Sequence, residues 1–359
     1  MQIAQPHRNR KHLALAAAVA LIGTSVAGAQ STLRVAADAF ATIQDAVDAA
    51  QSGDTILIEP GAYRGLGNRD VNLGSKELTL CSESGSASVL IDAEGTVALP
   101  FRGILIEGGQ TSATVIDGLT FTGGATLEGA VDDPFNGGAI RMINTSPIIR
   151  NCVFQGNSAG CWGGAVFSGH GGTPLIENCV FRDNFSADGG GGFFSWAGSA
   201  PTLRNTLFIG NDGVTQGGGV LHFSTAPITV EGCTFTRNSS NFAAGFAIYN
   251  GAIRNSIVWG NFSIDQTWGS QSTTTVAFSN FENPLPYPEW NLGGNISAAP
   301  RFKNDGFHLG RFSPCIDAGD PATRAAGQVD VDGRARVTAG RIDMGVDEFR
   351  AVSRTRSPL

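Results

Sequence analysis

The sequence predicts an all-β fold, a right-handed single-stranded parallel β-helix with a short N-terminal capping helix. Three observations carry this. A seven-residue unit recurs every 27 residues through the middle of the chain, glycine and proline columns keep phase with it, and the runs between are strand-like without helical period.

Residues 1–29 read as a secretory signal. Basic Arg8, Arg10 and Lys11 precede an apolar run from Leu13 to Gly23, and Ala27-Gly28-Ala29 supplies a small-residue cleavage motif. The apolar run is too short to cross a bilayer as a helix, and no later stretch is long and apolar enough to do so. An exported protein, extracellular or at the cell surface, is therefore expected, with a mature start at Gln30. What remains carries 21 basic against 31 acidic residues, a net charge of −10. A surface that neutralises phosphates needs the opposite balance, which excludes nucleic acid as a partner. A uniformly anionic polymer is also repelled at long range, although a local Arg patch can hold one. Charged residues make up only 15% of the chain while Gly numbers 49, a balance that suits stacked strands joined by tight turns. Repeats grow along one axis, so about 330 residues form one solenoid rather than two domains, and a monomer is expected.

Residues 30–53 are assigned to the N-terminal cap. Thr42-Ile-Gln-Asp45 is a capping-box start, and Ile43, Ala46, Val47 and Ala50 form one apolar helical face. Gly53 ends that helix, and Asp54-Thr-Ile-Leu-Ile58 opens the first strand, so the helix can lie across the first coil. The solenoid is assigned to 54–290, a C-terminal cap region to 291–350 and a tail to 351–359.

The repeat is plainest in Asn151-Cys-Val-Phe-Gln-Gly-Asn157, Asn178-Cys-Val-Phe-Arg-Asp-Asn184 and Asn205-Thr-Leu-Phe-Ile-Gly-Asn211. Gly232-Cys-Thr-Phe-Thr-Arg-Asn238 and Asn255-Ser-Ile-Val-Trp-Gly-Asn261 continue it, and Gly118-Leu-Thr-Phe-Thr-Gly-Gly124 precedes it. Paired glycines (137–138, 163–164, 191–192, 218–219) and prolines (147, 174, 201, 227) form the other two columns. Coils about 4.8 Å apart pile equivalent residues into ladders. The leading Asn column, at 151, 178, 205 and 255, is expected to form an amide ladder, and Phe154, Phe181, Phe208 and Phe235 an interior stack. Arg150, Glu177, Arg204, Glu231 and Arg254 alternate in charge, which helps fix register at ~0–1 kcal/mol per exposed pair. Cys152, Cys179 and Cys233 share one interior column as small buried residues, with the first two within bridging range if neighbours stack closely.

The stretch from Thr42 through Gly53-Asp-Thr-Ile-Leu-Ile-Glu-Pro-Gly-Ala-Tyr63 resembles the opening of pectin-lyase-like right-handed β-helix proteins. The Gly-Gly-Ala-Ile140 and Phe-x-x-Asn units resemble polymorphic outer-membrane protein repeats, without the membrane barrel. Ser313-Pro-Cys-Ile-Asp-Ala-Gly-Asp-Pro321, Asp330-Val-Asp-Gly333 and Asp343-Met-Gly-Val-Asp-Glu-Phe349 resemble the terminal signature of exported bacterial β-helix proteins, with Cys315 and Val346 where Ala is commoner. The resemblance implies the fold and export, and it carries no catalytic residue.

Candidate chemistry is sparse. Gly169-His170-Gly171 is similar to a polygalacturonase motif, but Asp132-Asp133 comes in the wrong order and Asn144-Thr145-Ser146 lacks the acid, so glycosidase chemistry is disfavoured. A polysaccharide lyase needs a Lys or Arg base and a group that neutralises the uronate carboxylate. Arg141 and the acidic insertion holding Glu128, Asp132 and Asp133 lie close along the chain, where a solvated loop is the plainer reading. Asp317, Asp320, Asp330, Asp332 and Asp343 crowd the C-terminal signature. Ca2+ is compatible with them, but turns and capping bonds explain them with less, and no Cys/His spacing suggests zinc, so no cofactor and no metal site is assigned. Trp196 and His222 fall in successive coils near Arg141 and are read, with His170, as an outer strip for sugar stacking and hydrogen bonding. The ligand-binding candidates are therefore Asp132, Asp133, Arg141, His170, Trp196 and His222. The expected role is carbohydrate-associated binding of a polysaccharide or cell-surface glycan. The alternatives are a polysaccharide lyase or related enzyme and a structural or adhesive surface protein.

Overall fold

The computed structural model of the chain describes residues 30–127, 136–263, 267–269, 273–283, 285, 287–337 and 340–350. Its strands build a parallel β-solenoid of about nine turns with almost no helix. Each coil gives one strand to each of three long sheets. Sheet 1 runs from Thr32–Val35 to Thr274–Ala277, sheet 2 from Val71–Asn72 to Thr267–Gly269, and sheet 3 from Gly61–Tyr63 to Asn280–Phe281. Among the described residues they hold ten, eight and nine strands. Sheet 1 begins before the helix, because Thr32–Val35 pairs with Thr55–Ile58. The helix spans Ile43–Ala49, is capped by the Thr42 hydroxyl accepting from the Asp45 N–H, and buries Ile43, Ala46 and Val47.

The pairing register reproduces the repeat. Phe121, Phe154, Phe181, Phe208 and Phe235 stand opposite one another on successive strands of sheet 3. Their rings stack inside the solenoid with centroids 5.3, 4.6, 4.8 and 4.9 Å apart. The charge file also forms: Arg150 pairs with Asp117 at 2.8 Å, and Arg204 lies 3.3 Å from Glu177 and 3.4 Å from Glu231. Arg254 leaves the file for Asp320 at 2.7 Å. All six cysteines are free, and Cys152, Cys179 and Cys233 are buried.

The amide ladder belongs to the other end of the repeat unit. Asn151, Asn178, Asn205 and Asn255 have φ between 46° and 53°, at the corner where the chain leaves sheet 1. Asn is among the few non-glycine residues that tolerate this left-handed conformation. Gly118 and Gly232 occupy the same column with φ of 67° and 64°. The side chains here have unlike partners: Asn151 Nδ2 donates to Asp117 Oδ1 in the preceding coil at 2.7 Å, while Asn255 Nδ2 donates to Thr323 Oγ1 at 3.0 Å in the C-terminal segment. The ladder is instead Asn157, Asn184, Asn211, Asn238 and Asn261. In the first four, Nδ2 donates to the Oδ1 of the next coil's Asn at 2.8–3.0 Å, and the backbone N–H donates to the same oxygen. The second Nδ2 proton goes to a carbonyl in the preceding coil, that of Phe154 for Asn184 and Phe181 for Asn211.

Trp290 and its neighbour Tyr287 pack on the core at the last coil. The segment after it then runs back over the outer face of sheet 3, where Val346 packs with Leu207 and Ile209 and its N–H donates to the Thr234 hydroxyl at 3.0 Å.

His222 faces inward. It stands opposite Ser195 in sheet 2 and is fully buried, whereas the outward Trp196 stands opposite Phe223. A one-residue difference in register moves a strand side chain to the other face, and this removes His222 from any outer strip. Burial pushes its pKa down to about 4, which leaves the ring neutral near pH 7. Its Nε2–H then donates to the Ala226 carbonyl at 2.8 Å, and Nδ1 accepts from the Ser195 hydroxyl at 2.7 Å.

Two outcomes follow from this packing. Asn211→Ala strands several buried donors and acceptors and should cost about 3 kcal/mol or more in urea unfolding, whereas Asn151→Gly, at an exposed left-handed corner, should change stability by less than about 1 kcal/mol. Equal midpoints would mean that the ladder is misplaced. Second, between pH 6.5 and about 4 the unfolded chain binds a proton at His222 that the folded chain refuses. Stability therefore falls as pH falls through that window, by about 2–3 kcal/mol from this group. A His222→Asn variant should lose that part of the pH slope between pH 7 and 4.5, and an unchanged slope would contradict the buried neutral ring.

Candidate functional site

A tight left-handed turn, glycine at 163, 190 and 217, enters the middle strands of sheet 2 and decides what their outer face displays. Gly163 and Gly190 have φ of +69° and +64°, and a Cβ there would fall 2.6 Å from the Val166 carbonyl oxygen and 2.7 Å from that of Phe193. Glycine takes this left-handed turn without strain, and on a later coil Ala243 holds the same place with φ of 56°. The residue before Gly163 is Trp162, whose ring stacks on Phe194 with centroids 4.9 Å apart and planes 22° apart.

Alternation along the strands then sorts the side chains. With Phe193 and Val220 buried in the main core, Phe194 and Leu221 face outward and join Phe167, Ala243 and Ala247 in a separate apolar cluster. Two residues further along the strands come Trp196 and Phe223, in register on adjacent coils. Tyr249 follows on the next coil, its ring 5.7 Å from that of Phe223. Phe223 is 51% exposed and Tyr249 39%. His170, an exposed residue with φ of 58°, sets its ring edge against Trp196 at 5.5 Å.

Between these side chains lies a depression of about 220 Å³ lined by Trp162, Phe194, Trp196, Gln216, Leu221 and Phe223. Phe223 also borders a second one of about 190 Å³ with Ser224, Thr225 and Tyr249. The two lie on either side of Phe223 and follow the row of rings across successive coils. Its lining carries no charged side chain, and Gln216 supplies its amide. The Trp162 Nε1–H, buried at its edge, has no hydrogen-bond partner.

The fold therefore brings Trp196 and His170 together on this face. Arg141 also points outward from sheet 2, in register with Phe167, but it is only 7% exposed and ion-paired with Glu107. Asp132 and Asp133 lie outside the described residues, and His222 is inside the solenoid. Trp162, Phe194, Phe223 and Tyr249 are the site residues that motif reading misses. Alternation from Phe193 predicts 194 and 196 on one face, and Trp162-Gly-Gly, Gln216-Gly-Gly and Phe242-Ala-Ala share one place before a small pair.

Two other features differ in chemistry. Cys161 sits beside Asp188 at 3.1 Å, and burial with that carboxylate pushes its thiol up to about 12, which makes it a poor nucleophile. A cleft of about 330 Å³ between sheet 3 and the C-terminal segment carries Arg182, Asp183 and Arg237, but the Arg237 guanidinium is engaged by the Asp305 carbonyl at 3.1 Å.

Solved structures with similar chain paths include a pectin methylesterase from Aspergillus niger in deglycosylated form. It is 15% identical, with 76% of this chain and 84% of that one covered and a TM-score of 0.35. A pectate lyase is 13% identical, with coverage of 89% and 97% and a TM-score of 0.38. A rice weevil pectin methyl esterase is 11% identical, with coverage of 72% and 78% and a TM-score of 0.32. No curated protein matches the sequence. The family described as "Right handed beta helix region" matches residues 102–281, half of the chain, and the protein belongs to that family.

Proposed function

We propose that this is an exported carbohydrate-binding protein that holds a linear, neutral glycan along the solenoid on the outer face of sheet 2. The observation that carries the reading is the row Trp196, Phe223 and Tyr249, one aromatic ring per coil beside the Trp162–Phe194 stack. Sugar rings offer apolar faces edged with hydroxyls, and aromatic side chains with a few fixed polar groups are what such ligands need. Repetition at coil spacing favours a polymer over a compact metabolite. The ligand is read as neutral because no cation lines the groove and the net charge of −10 outside the leader repels uronate chains.

Binding is favoured over bond cleavage because the groove lining offers no acid–base pair among the described residues. A lyase would need a cationic base and a second neutralising group there, and the Arg182–Arg237 cleft lies on another sheet. Export rests on the leader-like residues 1–29. No helix among the described residues is long and apolar enough to cross a membrane.

The test is calorimetric titration with neutral and uronate oligosaccharides. Neutral oligomers should bind, and Trp196→Ala and Phe223→Ala should each weaken them about tenfold or more, since stacking adds roughly 0.5–1.5 kcal/mol to the buried area. Melting temperatures should stay near wild type because both rings reach solvent. Arg141→Ala is not a clean probe, since it leaves Glu107 without its partner. Unchanged affinity in both aromatic variants, or no glycan bound by wild type, would leave the structural or adhesive reading as the better account.

A further inference from the structure

The C-terminal segment gathers a second set of polar side chains over sheet 3, far in character from the aromatic groove. Asp330, Asp343, Asp347 and Glu348 are each 1–3% exposed, with one guanidinium, Arg336, buried among them. Buried carboxylates need pairing with cations or metals, and here the negative charges outnumber Arg336. The satisfaction is also incomplete. Asp330 Oδ2 is buried without a hydrogen-bond partner, while its Oδ1 accepts from the Asp332 and Arg334 N–H groups.

At the outer edge of these carboxylates His308, Asp332 and Asp347 each present a donor atom, all within 4.8 Å of one another. The histidine is already oriented. Asp305 Oδ1 accepts the Phe307 and His308 N–H groups, and its Oδ2 lies 2.8 Å from His308 Nδ1. Without an ion, Nε2–H donates to Asp332 Oδ2 at 3.2 Å, and an incoming cation would displace that proton to solvent and take the Nε2 lone pair while Nδ1–H stays on Asp305. A histidine that donates one ring N–H to a carboxylate and offers the other nitrogen is the usual arrangement of a metal-binding imidazole. Asp347 is held by the Leu309 N–H on its Oδ2 at 2.6 Å, and Asp332 is shared with Arg334.

From this geometry we infer that His308, Asp332 and Asp347 form a divalent transition-metal site, with Asp305 positioning the imidazole. Tetrahedral ligands at about 2.0–2.2 Å from one ion lie roughly 3.4 Å apart, so closing the site draws the donor atoms together by up to about 1.4 Å, within the reach of side-chain rotation. One imidazole with carboxylates suits Zn2+ or Mn2+, whereas Ca2+ takes oxygen ligands. The ion would join the 305–309 loop to the 330–347 stretch and so latch the C-terminal segment over sheet 3. It would not touch the aromatic groove, and its failure would leave the carbohydrate reading standing.

The test is titration of the chelator-treated full chain with Zn2+ and, separately, Mn2+, read by calorimetry and thermal unfolding. One ion per chain and a raised melting temperature are expected. His308→Gln and Asp332→Asn should weaken binding tenfold or more and abolish the thermal shift, while Asp305→Asn should weaken it less. His170→Gln, at an exposed turn beside sheet 2, should bind as wild type. No binding tighter than millimolar by wild type would show that His308 is only a hydrogen-bonded bridge between Asp305 and Asp332. Equal binding by His308→Gln would place the ion elsewhere, and either result overturns the site.

Discussion

Everything on the surface of this solenoid depends on one buried file of amides. An Asn at each corner after sheet 3 donates to the coil on one side and accepts from the coil on the other, at 2.8–3.0 Å between side chains. The geometry allows one answer, because a coil displaced by a residue would leave both amide groups unsatisfied in a dry interior. Phe rings at 4.6–5.3 Å fill the space beside the file and add dispersion, but they tolerate sliding far better than the amides do. Alternating charges outside add a weaker, solvent-screened preference for the same register.

Register fixed inside becomes pattern outside. Since each coil repeats the path of the last, a residue placed once per repeat becomes a row along the axis. Sheet 2 uses this with Trp196, Phe223 and Tyr249, and the tight turn at Gly163 lays Trp162 against the row. The C-terminal segment uses sheet 3 differently, covering the outward Leu207, Ile209 and Thr234 instead of leaving them to a ligand. The two faces thus divide into one that is open and aromatic and one that is sealed with charge.

Much of the architecture was legible because period is legible: the 27-residue spacing, the Phe column and the alternating charges all appear in the register pairs. The choice between the two Asn columns was less so, although Gly118 and Gly232 in the leading column were a signal. Glycine replaces Asn where φ is positive, but it cannot replace a ladder amide. His222 was misassigned because spacing locates a coil and not a face, and Ser195 rather than Trp196 is its partner. The path of the residues after Trp290 has no period to read. His308 and Asp347 meet only because that segment folds back on itself, so metal-ligand spacing in sequence could not reveal them.

Hydrogen exchange under native conditions tests the dependence of the outer face on the inner file most directly. The amides of Asn184, Asn211 and Asn238 should exchange only by global unfolding, and those of Phe194 and Leu221 in sheet 2 should share the same opening free energy and the same denaturant dependence. Exchange of the sheet 2 amides through a smaller local opening, with the ladder still protected, would show that the aromatic platform is not held by the ladder and would contradict the account.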